Sequence, residues 1–146
     1  MRLKMTTDYA IRIIRTIYME EGEVVTTATI SEKEHISQGV IMKILKLLRE
    51  ANIVSSHQGR GDISGGFSLK RDVKELTLYD VILAMEGPIT LIFPRDMNYI
   101  EKCGADCPIN RELQRINNDM VRELQEKSLH EVFHIEHDKL REIVAL

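Results

Sequence analysis

The sequence predicts a mainly α-helical fold with a small β-hairpin wing and a long C-terminal helix. Three observations predict it. Three segments with helical signals follow one another in the first 50 residues. Two short β-prone runs then flank a glycine-rich stretch, and a narrow apolar stripe with helical spacing begins near residue 109. The length of 146 residues suits one compact domain with an appended element.

The first predicted helix starts near Thr6 or Thr7, either of which can cap it, and runs to about Glu21. Gly22 follows and favours the end of the helix at this point. The apolar residues of this segment recur at helical spacing and therefore predict one buried face. They are Ala10, Ile11, Ile13, Ile14, Ile17 and Tyr18.

The next two helices predict a helix-turn-helix unit. The second helix covers roughly residues 27–35, residues 35–37 form a tight turn, and the third helix covers about 38–50 with Ser37 as its N-cap. Asn52 tolerates the left-handed conformation and so favours the end of the third helix. The apolar residues of the third helix predict its buried side: Val40, Ile41, Ile44, Leu45, Leu47 and Leu48. Its polar residues are Gln38, Lys43, Lys46 and Arg49.

A β-hairpin is predicted directly after the third helix. Its strands are residues 53–57 and 67–70, and four of the eight glycines of the chain lie between them, within residues 59–66. Glycine allows a hairpin tip to bring its backbone close to another surface. A helix-turn-helix followed at once by a two-stranded hairpin has the element order of a winged helix-turn-helix.

The C-terminal half predicts a connecting helix, a loop and a long helix. Thr77 caps a fourth helix that runs from Leu78 to about Glu86, and residues 89–107 lack periodicity, which indicates a structured loop. From Ile109 one narrow stripe of apolar residues is flanked by charged ones, which is typical of a helix that pairs with another helix. The stripe consists of Ile109, Leu113, Ile116, Met120 and Leu124. Residues 128–146 predict one or two short helices.

Three regions follow from this order: a winged helix-turn-helix over residues 1–72, a connecting helix and cysteine-containing loop over 73–108, and a dimerisation helix with a C-terminal helical segment over 109–146.

The net charge of −3 is unevenly distributed. Residues 1–72 hold 11 basic and 9 acidic side chains, a balance of +2, and residues 73–146 hold 9 and 14, a balance of −5. A polyanion would therefore prefer the N-terminal half.

No signal peptide or membrane span is expected. The residues after Arg2 and Lys4 do not form an apolar run, and no apolar stretch approaches the roughly 18 residues that suggest a span. We therefore expect a cytoplasmic protein. In that reducing compartment the two cysteines, Cys103 and Cys107, are more typical of a metal or redox site than of a structural disulfide.

A winged helix of this kind would bind double-stranded DNA through its third helix. Ser37, Gln38, Lys43 and Lys46 are the polar choices for base and phosphate contacts, with a solvated surface as the alternative. Arg60, between two wing glycines, could enter a minor groove, or be an ordinary surface arginine. Thr7 could contact a phosphate at the start of the first helix, or merely cap that helix.

Short motifs occur at residues 6–12, 30–33, 36–37, 45, 47–54, 65–67, 77–82 and 86–88. Together they resemble one family of bacterial transcription regulators, the Rrf2 family, which includes iron–sulfur, nitric-oxide and cysteine-metabolism regulators. The resemblance covers about residues 1–133.

The resemblance implies a homodimer that binds a palindromic operator, in many cases as a repressor. It also implies an iron–sulfur cluster, [2Fe-2S] or [4Fe-4S], in the loop before the long helix. The usual ligands are three loop cysteines and an acidic residue from the first helix of the other subunit, or a histidine. Cys103, Cys107 and Asp8 match this pattern, but there is no third cysteine, and Asn110 stands where some members have the histidine. The wing is also longer than usual and lacks the common proline.

The missing ligand leaves the nature of the switch open. His35, beside the helix-turn-helix turn, is the first candidate for a fourth ligand, and His57 is a weaker one. Alternatively, Asp8 favours the helix N-terminus through the helix dipole alone, and His35 is a surface or capping residue. The two cysteines would then be the remnant of a lost cluster or a reversibly oxidised thiol pair.

Two other functions are compatible with parts of the sequence. A regulator without a cofactor would respond to a protein partner or to a small ligand bound near residues 88–102. A thiol redox enzyme, or a dimeric adaptor without DNA binding, would need a further constellation of residues. No Ser-His-Asp pattern, paired carboxylates or phosphate-binding glycine loop supports an enzyme. The sequence therefore favours a regulator over an enzyme.

Overall fold

The computed structural model of the chain describes residues 2–21, 23–62, 65–91 and 107–135. Within them the fold is mainly helical, with one small antiparallel sheet, as predicted. The elements are α1 (Met5–Met19), α2 (Thr27–Glu34), α3 (Gln38–Glu50), β1 (Val54–His57), β2 (Gly66–Leu69), α4 (Leu78–Glu86), α5 (Pro108–Glu126) and α6 (Leu129–Phe133). No helix in these ranges is both long and apolar enough to cross a bilayer.

The start of α1 differs from the prediction. Lys4 is the N-cap in an extended conformation, and its carbonyl accepts hydrogen bonds from the backbone N–H groups of Thr7 (3.0 Å) and Asp8 (3.4 Å). No side chain caps this helix, so neither Thr6 nor Thr7 plays the predicted part. A tertiary contact explains the difference, because the Thr7 side chain points into the molecule and its hydroxyl donates a hydrogen bond to α4. The helix ends at Met19, slightly earlier than predicted.

Helix α3 forms where the local signals place it. The Ser37 hydroxyl oxygen accepts a hydrogen bond from the backbone N–H of Val40, and Asn52 has a φ of 58°, in the left-handed region. One face of the helix is fully buried and consists of Ile41, Ile44, Leu45 and Leu48. These residues pack with the buried faces of α1 and α2 in one hydrophobic core. The prediction was wrong for Leu47, which is 37% exposed.

The hairpin is anchored to the chain that precedes α2. In β1 and β2, Val54 pairs with Leu69 and His57 with Gly66. Val25 adds a short bridge beside them: its N–H and its carbonyl each bond to the backbone of Phe67 at 2.8 Å. A Cβ atom on Gly66 would lie 2.4 Å from the Val25 carbonyl oxygen, so the close approach requires glycine here. The bridge at Val25 was not predicted.

Helix α6 packs against the chain that precedes α4. Thr77 and Ser128, which start α4 and α6, form capping boxes and pair with each other in a short antiparallel bridge. The Leu129 side chain is fully buried in the core, and its N–H donates to the Leu76 carbonyl at 2.7 Å. Burial of a leucine side chain contributes about 1.5–3 kcal/mol, so α6 is firmly held. The predicted loop over 89–107 and the end of the segment 128–146 lie mostly outside the described residues.

Candidate nucleic-acid interface

Helix α3 presents a polar face opposite its buried face. The side chains of Gln38, Lys43 and Lys46 are exposed, and the lysines lie three positions apart, on the same side of the helix. Met42, 49% exposed, lies beside Lys43 on this surface. We call the exposed side formed by Gln38, Met42, Lys43 and Lys46 the outer face of α3.

The N-terminus of α3 is held by the turn before it. His35 takes the left-handed conformation with a φ of 55°, and the Ser31 hydroxyl donates to the Ile36 carbonyl at 2.6 Å. The Thr27 hydroxyl at the start of α2 donates to the side-chain oxygen of Gln38 at 3.3 Å. Because Ser37 Oγ accepts the Val40 N–H, its own proton can still be donated outward. Polar groups of Ser37 and Gln38 therefore meet at one exposed helix end.

The hairpin stands beside α3 and is joined to it by side chains. Arg49 Nη1 donates to Ser56 Oγ at 3.4 Å, and Lys70 Nζ donates to Asn52 Oδ1 at 2.9 Å. The first contact joins the end of α3 to β1, and the second joins Asn52, which follows α3, to Lys70, which follows β2. Arg49 was not among the predicted contacts, although its place three residues after Lys46 indicates the same polar side.

The wing tip carries an exposed cation. Arg60 is exposed, and Gly61 after it has a φ of 60°, a conformation that favours glycine. A Cβ on Gly65 would lie 2.5 Å from the His57 carbonyl oxygen, so the base of the tip is also closely packed. The glycines thus serve backbone geometry, and the arginine is the one long cationic side chain among the described tip residues 58–62 and 65.

Charge is distributed so that the outer face of α3 and the wing carry unneutralised cations. The ion pairs of the described residues lie elsewhere, on α1 and α2 and along α5. Lys43, Lys46 and Arg60 take part in none of them. An unpaired cation is available to a polyanion without first losing a carboxylate partner.

Thr7 does not belong to this surface. It is fully buried, and its hydroxyl donates to Glu86 Oε2 of α4 at 2.7 Å. A phosphate could reach neither its side chain nor its N–H, which bonds to the Lys4 carbonyl. Its buried position therefore argues against the predicted phosphate contact, because the hydroxyl serves to join α1 to α4.

The candidate metal ligands are not brought together within the described residues. Cys107 is 6% exposed and precedes Pro108 at the start of α5, whereas Cys103 lies outside the described ranges. Asp8 is exposed and pairs with Arg12 Nε at 2.8 Å, a contact that raises the pKa of Arg12. His35 is exposed on the helix-turn-helix turn.

Over residues 2–21, 23–62, 65–91 and 107–135, no group of three or more His, Cys, Asp or Glu side chains could hold a metal. The described residues of one protomer therefore do not supply the ligand set of an iron–sulfur cluster. Cys103 and the rest of the loop over residues 92–106 lie outside the described residues.

Two residues of the apolar stripe of α5 are exposed, and the other three, Leu113, Met120 and Leu124, are partly buried. Ile109 is 69% and Ile116 41% exposed, and Asn110 is the buried residue of this 19-residue helix. On its polar side Arg115 bonds to Glu112 and Asp119, which raises the pKa of Arg115 and lowers that of Glu112. The charges of Arg115, Glu112 and Asp119 are thus paired within the helix, while Ile109 and Ile116 remain exposed.

Known proteins are similar to this chain in sequence and in fold. The family model described as Rrf2, iron-dependent transcriptional regulator, matches residues 3–135. YffB, a predicted HTH-type transcriptional regulator of Lactococcus lactis, is 28% identical over 119 residues, which cover 78% of this chain and 74% of YffB. MT1325, a predicted HTH-type regulator of Mycobacterium tuberculosis, is 26% identical over 133 residues, or 90% of this chain and 81% of MT1325.

Solved structures agree in fold. CymR, the global cysteine regulator of Bacillus subtilis, superposes with a TM-score of 0.71 at 22% identity, over 90% of this chain and 95% of CymR. IscR of T. potens gives a TM-score of 0.65 at 18% identity, over 91% of this chain and 86% of IscR. The family and these relatives are transcriptional regulators and not enzymes, as the sequence predicted. The chain is a member of the Rrf2 family of DNA-binding, winged helix-turn-helix transcriptional regulators.

Proposed function

We propose that two copies of the chain bind one palindromic DNA operator and repress transcription from it. The observation that carries the proposal is the outer face of α3. Its cations form no ion pair with any described residue, and its Gln38 is held by Thr27. In this arrangement α3 enters the major groove, and the wing with Arg60 follows the adjacent minor groove. A regulator of bacterial genes works beside the chromosome, so the protein acts in the cytoplasm.

Different residues of the outer face and the wing would provide sequence specificity and affinity. Gln38 can form a bidentate hydrogen bond with adenine. Lys43, Lys46 and Arg60 neutralise phosphates, and each such contact adds to the salt dependence of binding. Ser37 donates its hydroxyl proton to a phosphate at the helix end.

Fluorescence anisotropy with the upstream region of the gene tests this proposal. Lys43→Ala with Lys46→Ala should reduce the slope of log K against log salt by about two, because about one counterion is released per contact. Lys127→Ala, which removes an exposed cation at the end of α5 and away from the outer face of α3, is the control and should keep the parent slope. Gln38→Ala should weaken operator binding by roughly 5- to 150-fold and non-operator binding little. Equal slopes in the double variant and the control would refute the proposed interface.

The homodimer is supported by α5. Its 19 residues span roughly 28 Å at 1.5 Å per residue, long enough for a continuous helix–helix contact. Two such helices would cover Ile109 and Ile116, whose exposure in one chain leaves apolar area in water. Paired helices would present two copies of α3 to successive major grooves about 34 Å apart.

Sedimentation equilibrium tests the dimer. Ile109→Lys with Ile116→Lys should yield monomers that bind operator weakly, while Met19→Lys, which also changes an exposed apolar residue (52% exposed), should remain dimeric. A parent protein that is monomeric at micromolar concentration would contradict the dimer.

The signal is proposed to act at Cys103 and Cys107. One form of the switch is an iron–sulfur cluster, which would supply redox- or iron-sensitive ligation and needs Asp8 of the second subunit and His35 to complete the ligands. The other form is a thiol switch, in which hydrogen peroxide takes two electrons and two protons from the thiols, one S–S bond forms, and two waters are released.

Anaerobic purification with a visible spectrum and an iron and sulfide assay separates the two forms. Brown protein that loses its colour in Cys107→Ser supports the cluster. Colourless protein whose operator affinity changes with peroxide, and not in Cys107→Ser, supports the thiol switch. Colourless protein whose operator affinity does not change with peroxide refutes both forms. It favours a regulator without a cofactor that responds to a partner or small ligand.

A further inference from the structure

Two histidines of α6 and its C-terminal end lie against each other. The rings of His130 and His134 have centroids 4.4 Å apart and planes inclined by 34°. Three of the five histidines of the chain fall between positions 130 and 137, although His137 lies outside the described residues. Such a concentration is not needed for packing, because Leu129 and Phe133 supply the apolar contacts of this helix.

We propose that His130 and His134 form a chelating site for a divalent transition metal of the nickel, copper and zinc group. Residues four apart on a helix lie one above the other, so both imidazoles can reach one ion. Neutral imidazole is a preferred ligand for these metals. This site is distinct from the cysteines and does not depend on the proposed DNA binding.

One hydrogen bond prepares His134 for ligation. Its Nδ1 lies 2.7 Å from the His130 carbonyl oxygen. A carbonyl only accepts, so Nδ1 carries the proton and Nε2 keeps the lone pair that a metal requires. Histidines that bind metals commonly donate their other N–H in this way, which orients the ring and raises its basicity.

Tyr18 of α1 restricts both rings from the side. Its ring meets those of His130 and His134 edge-on, with centroids 6.2 and 6.1 Å away, and it also contacts Phe133 at 6.0 Å. The aromatic contacts limit the rotamers of the two histidines, so less side-chain entropy is lost on binding. The pair is therefore arranged before any ion arrives.

Glu131 is not an available third ligand. Its carboxylate accepts hydrogen bonds from the N–H and the hydroxyl of Ser128 at the start of α6, and these bonds lower its pKa. No third His, Cys, Asp or Glu joins the pair among residues 107–135 or the other described ranges. We therefore assign the remaining coordination positions to water, as in an open site that exchanges its metal.

Metal binding would strengthen the attachment of α6. The N–H of His130 donates to the Val73 carbonyl at 3.1 Å, between β2 and α4. An ion that joins His130 to His134 would link the start and the end of this short helix. The docked helix would then be stabilised, because an ion that binds the folded form shifts the folding equilibrium toward it.

The experiment uses the full, untagged chain and nickel chloride at about pH 7.5, because protons compete with metal ions for imidazole nitrogens. Nickel added below one equivalent should broaden the amide NMR signals around His130, His134 and Tyr18. His130→Gln with His134→Gln should remove this broadening and weaken nickel binding in calorimetry by about tenfold or more. His57→Gln, the same substitution at an exposed histidine of β1, is the control and should keep both responses.

Three results would overturn the proposal: broadening that starts at Cys107 and spares α6, unchanged nickel affinity in the double histidine variant, or no nickel binding by the parent protein. Circular dichroism of the double variant guards against unfolding. A melting temperature that nickel raises in the parent and in His57→Gln, but not in the double variant, supports the site independently.

Discussion

Replacement of Gly66 by alanine should release the wing from its anchor. A Cβ at this position would lie 2.4 Å from the carbonyl oxygen and 2.8 Å from the carbonyl carbon of Val25. Both neighbours are backbone atoms in a pair of 2.8 Å hydrogen bonds with Phe67, so they can move only if those bonds lengthen. The added methyl group therefore cannot be accommodated by a side-chain rotation.

The expected cost follows from two opposing terms. Overpacking with backbone movement costs about 1–3 kcal/mol. Gly66 does not have a positive φ, so alanine is compatible with its backbone and regains about 0.4–1 kcal/mol from a less flexible unfolded chain. The net destabilisation is about 1–2 kcal/mol, or a melting temperature lower by roughly 2–8 °C.

Gly39→Ala is the matched control. Gly39 lies in the first turn of α3, and a Cβ there would meet nothing within 4 Å. Alanine should therefore stabilise the chain by about 0.5–1 kcal/mol, the opposite sign. Urea unfolding followed by circular dichroism, at one protein concentration because a dimer would depend on it, measures both variants. Gly66→Ala as stable as the parent, or Gly39→Ala less stable than Gly66→Ala, would refute the reasoning.

Three further substitutions probe other contacts. Thr7→Val removes the 2.7 Å hydrogen bond to the Glu86 carboxylate and should cost about 1–3 kcal/mol in urea unfolding, with an unchanged salt slope of DNA binding; a reduced slope would restore Thr7 as a phosphate contact. Leu129→Ala, at a fully buried site, should cost about 2–5 kcal/mol, and a loss below 1 kcal/mol would mean that α6 is not docked as described. The hydrogen bonds at the start of α6 lower the pKa of Glu131. The ionised Glu131 therefore stabilises the folded state above the ordinary glutamate pKa of about 4.3, and this stabilisation is lost as the pH falls through the lowered pKa. The melting temperature of Glu131→Gln should accordingly fall less than that of the parent on acidification below about pH 4, and parallel pH profiles would contradict this.

The parts of the fold that could be predicted are those set by neighbours in the chain. Ser37 bonds to a backbone N–H three residues away, and Asn52 takes a left-handed conformation that its own side chain tolerates. The same local rules correctly place Thr77 at the start of α4. These signals operate within one turn of helix, so no knowledge of the rest of the molecule is required.

The errors arise where a distant residue competes with a local signal. The local sequence predicts Thr7 as a helix cap or a phosphate contact. Its hydroxyl instead donates a hydrogen bond to Glu86, 79 positions later. Leu47 continues an apolar pattern but lies 37% exposed, because the core needs only one side of α3. For the candidate site, the cationic residues of α3 were predictable from helical spacing. That no described acidic residue pairs with Lys43 or Lys46 depends on where the other elements pack.

By itself the sequence determined the order of the helices and the hairpin, the polar side of α3 and the membership of a regulator family, since spacing and short motifs are properties of the chain. Only the tertiary structure decided that Val25 anchors the wing at Gly66, that Thr7 is enclosed, and that Tyr18 lies against His130 and His134. These contacts join residues far apart in the chain, and packing selects among many possible partners for each of them.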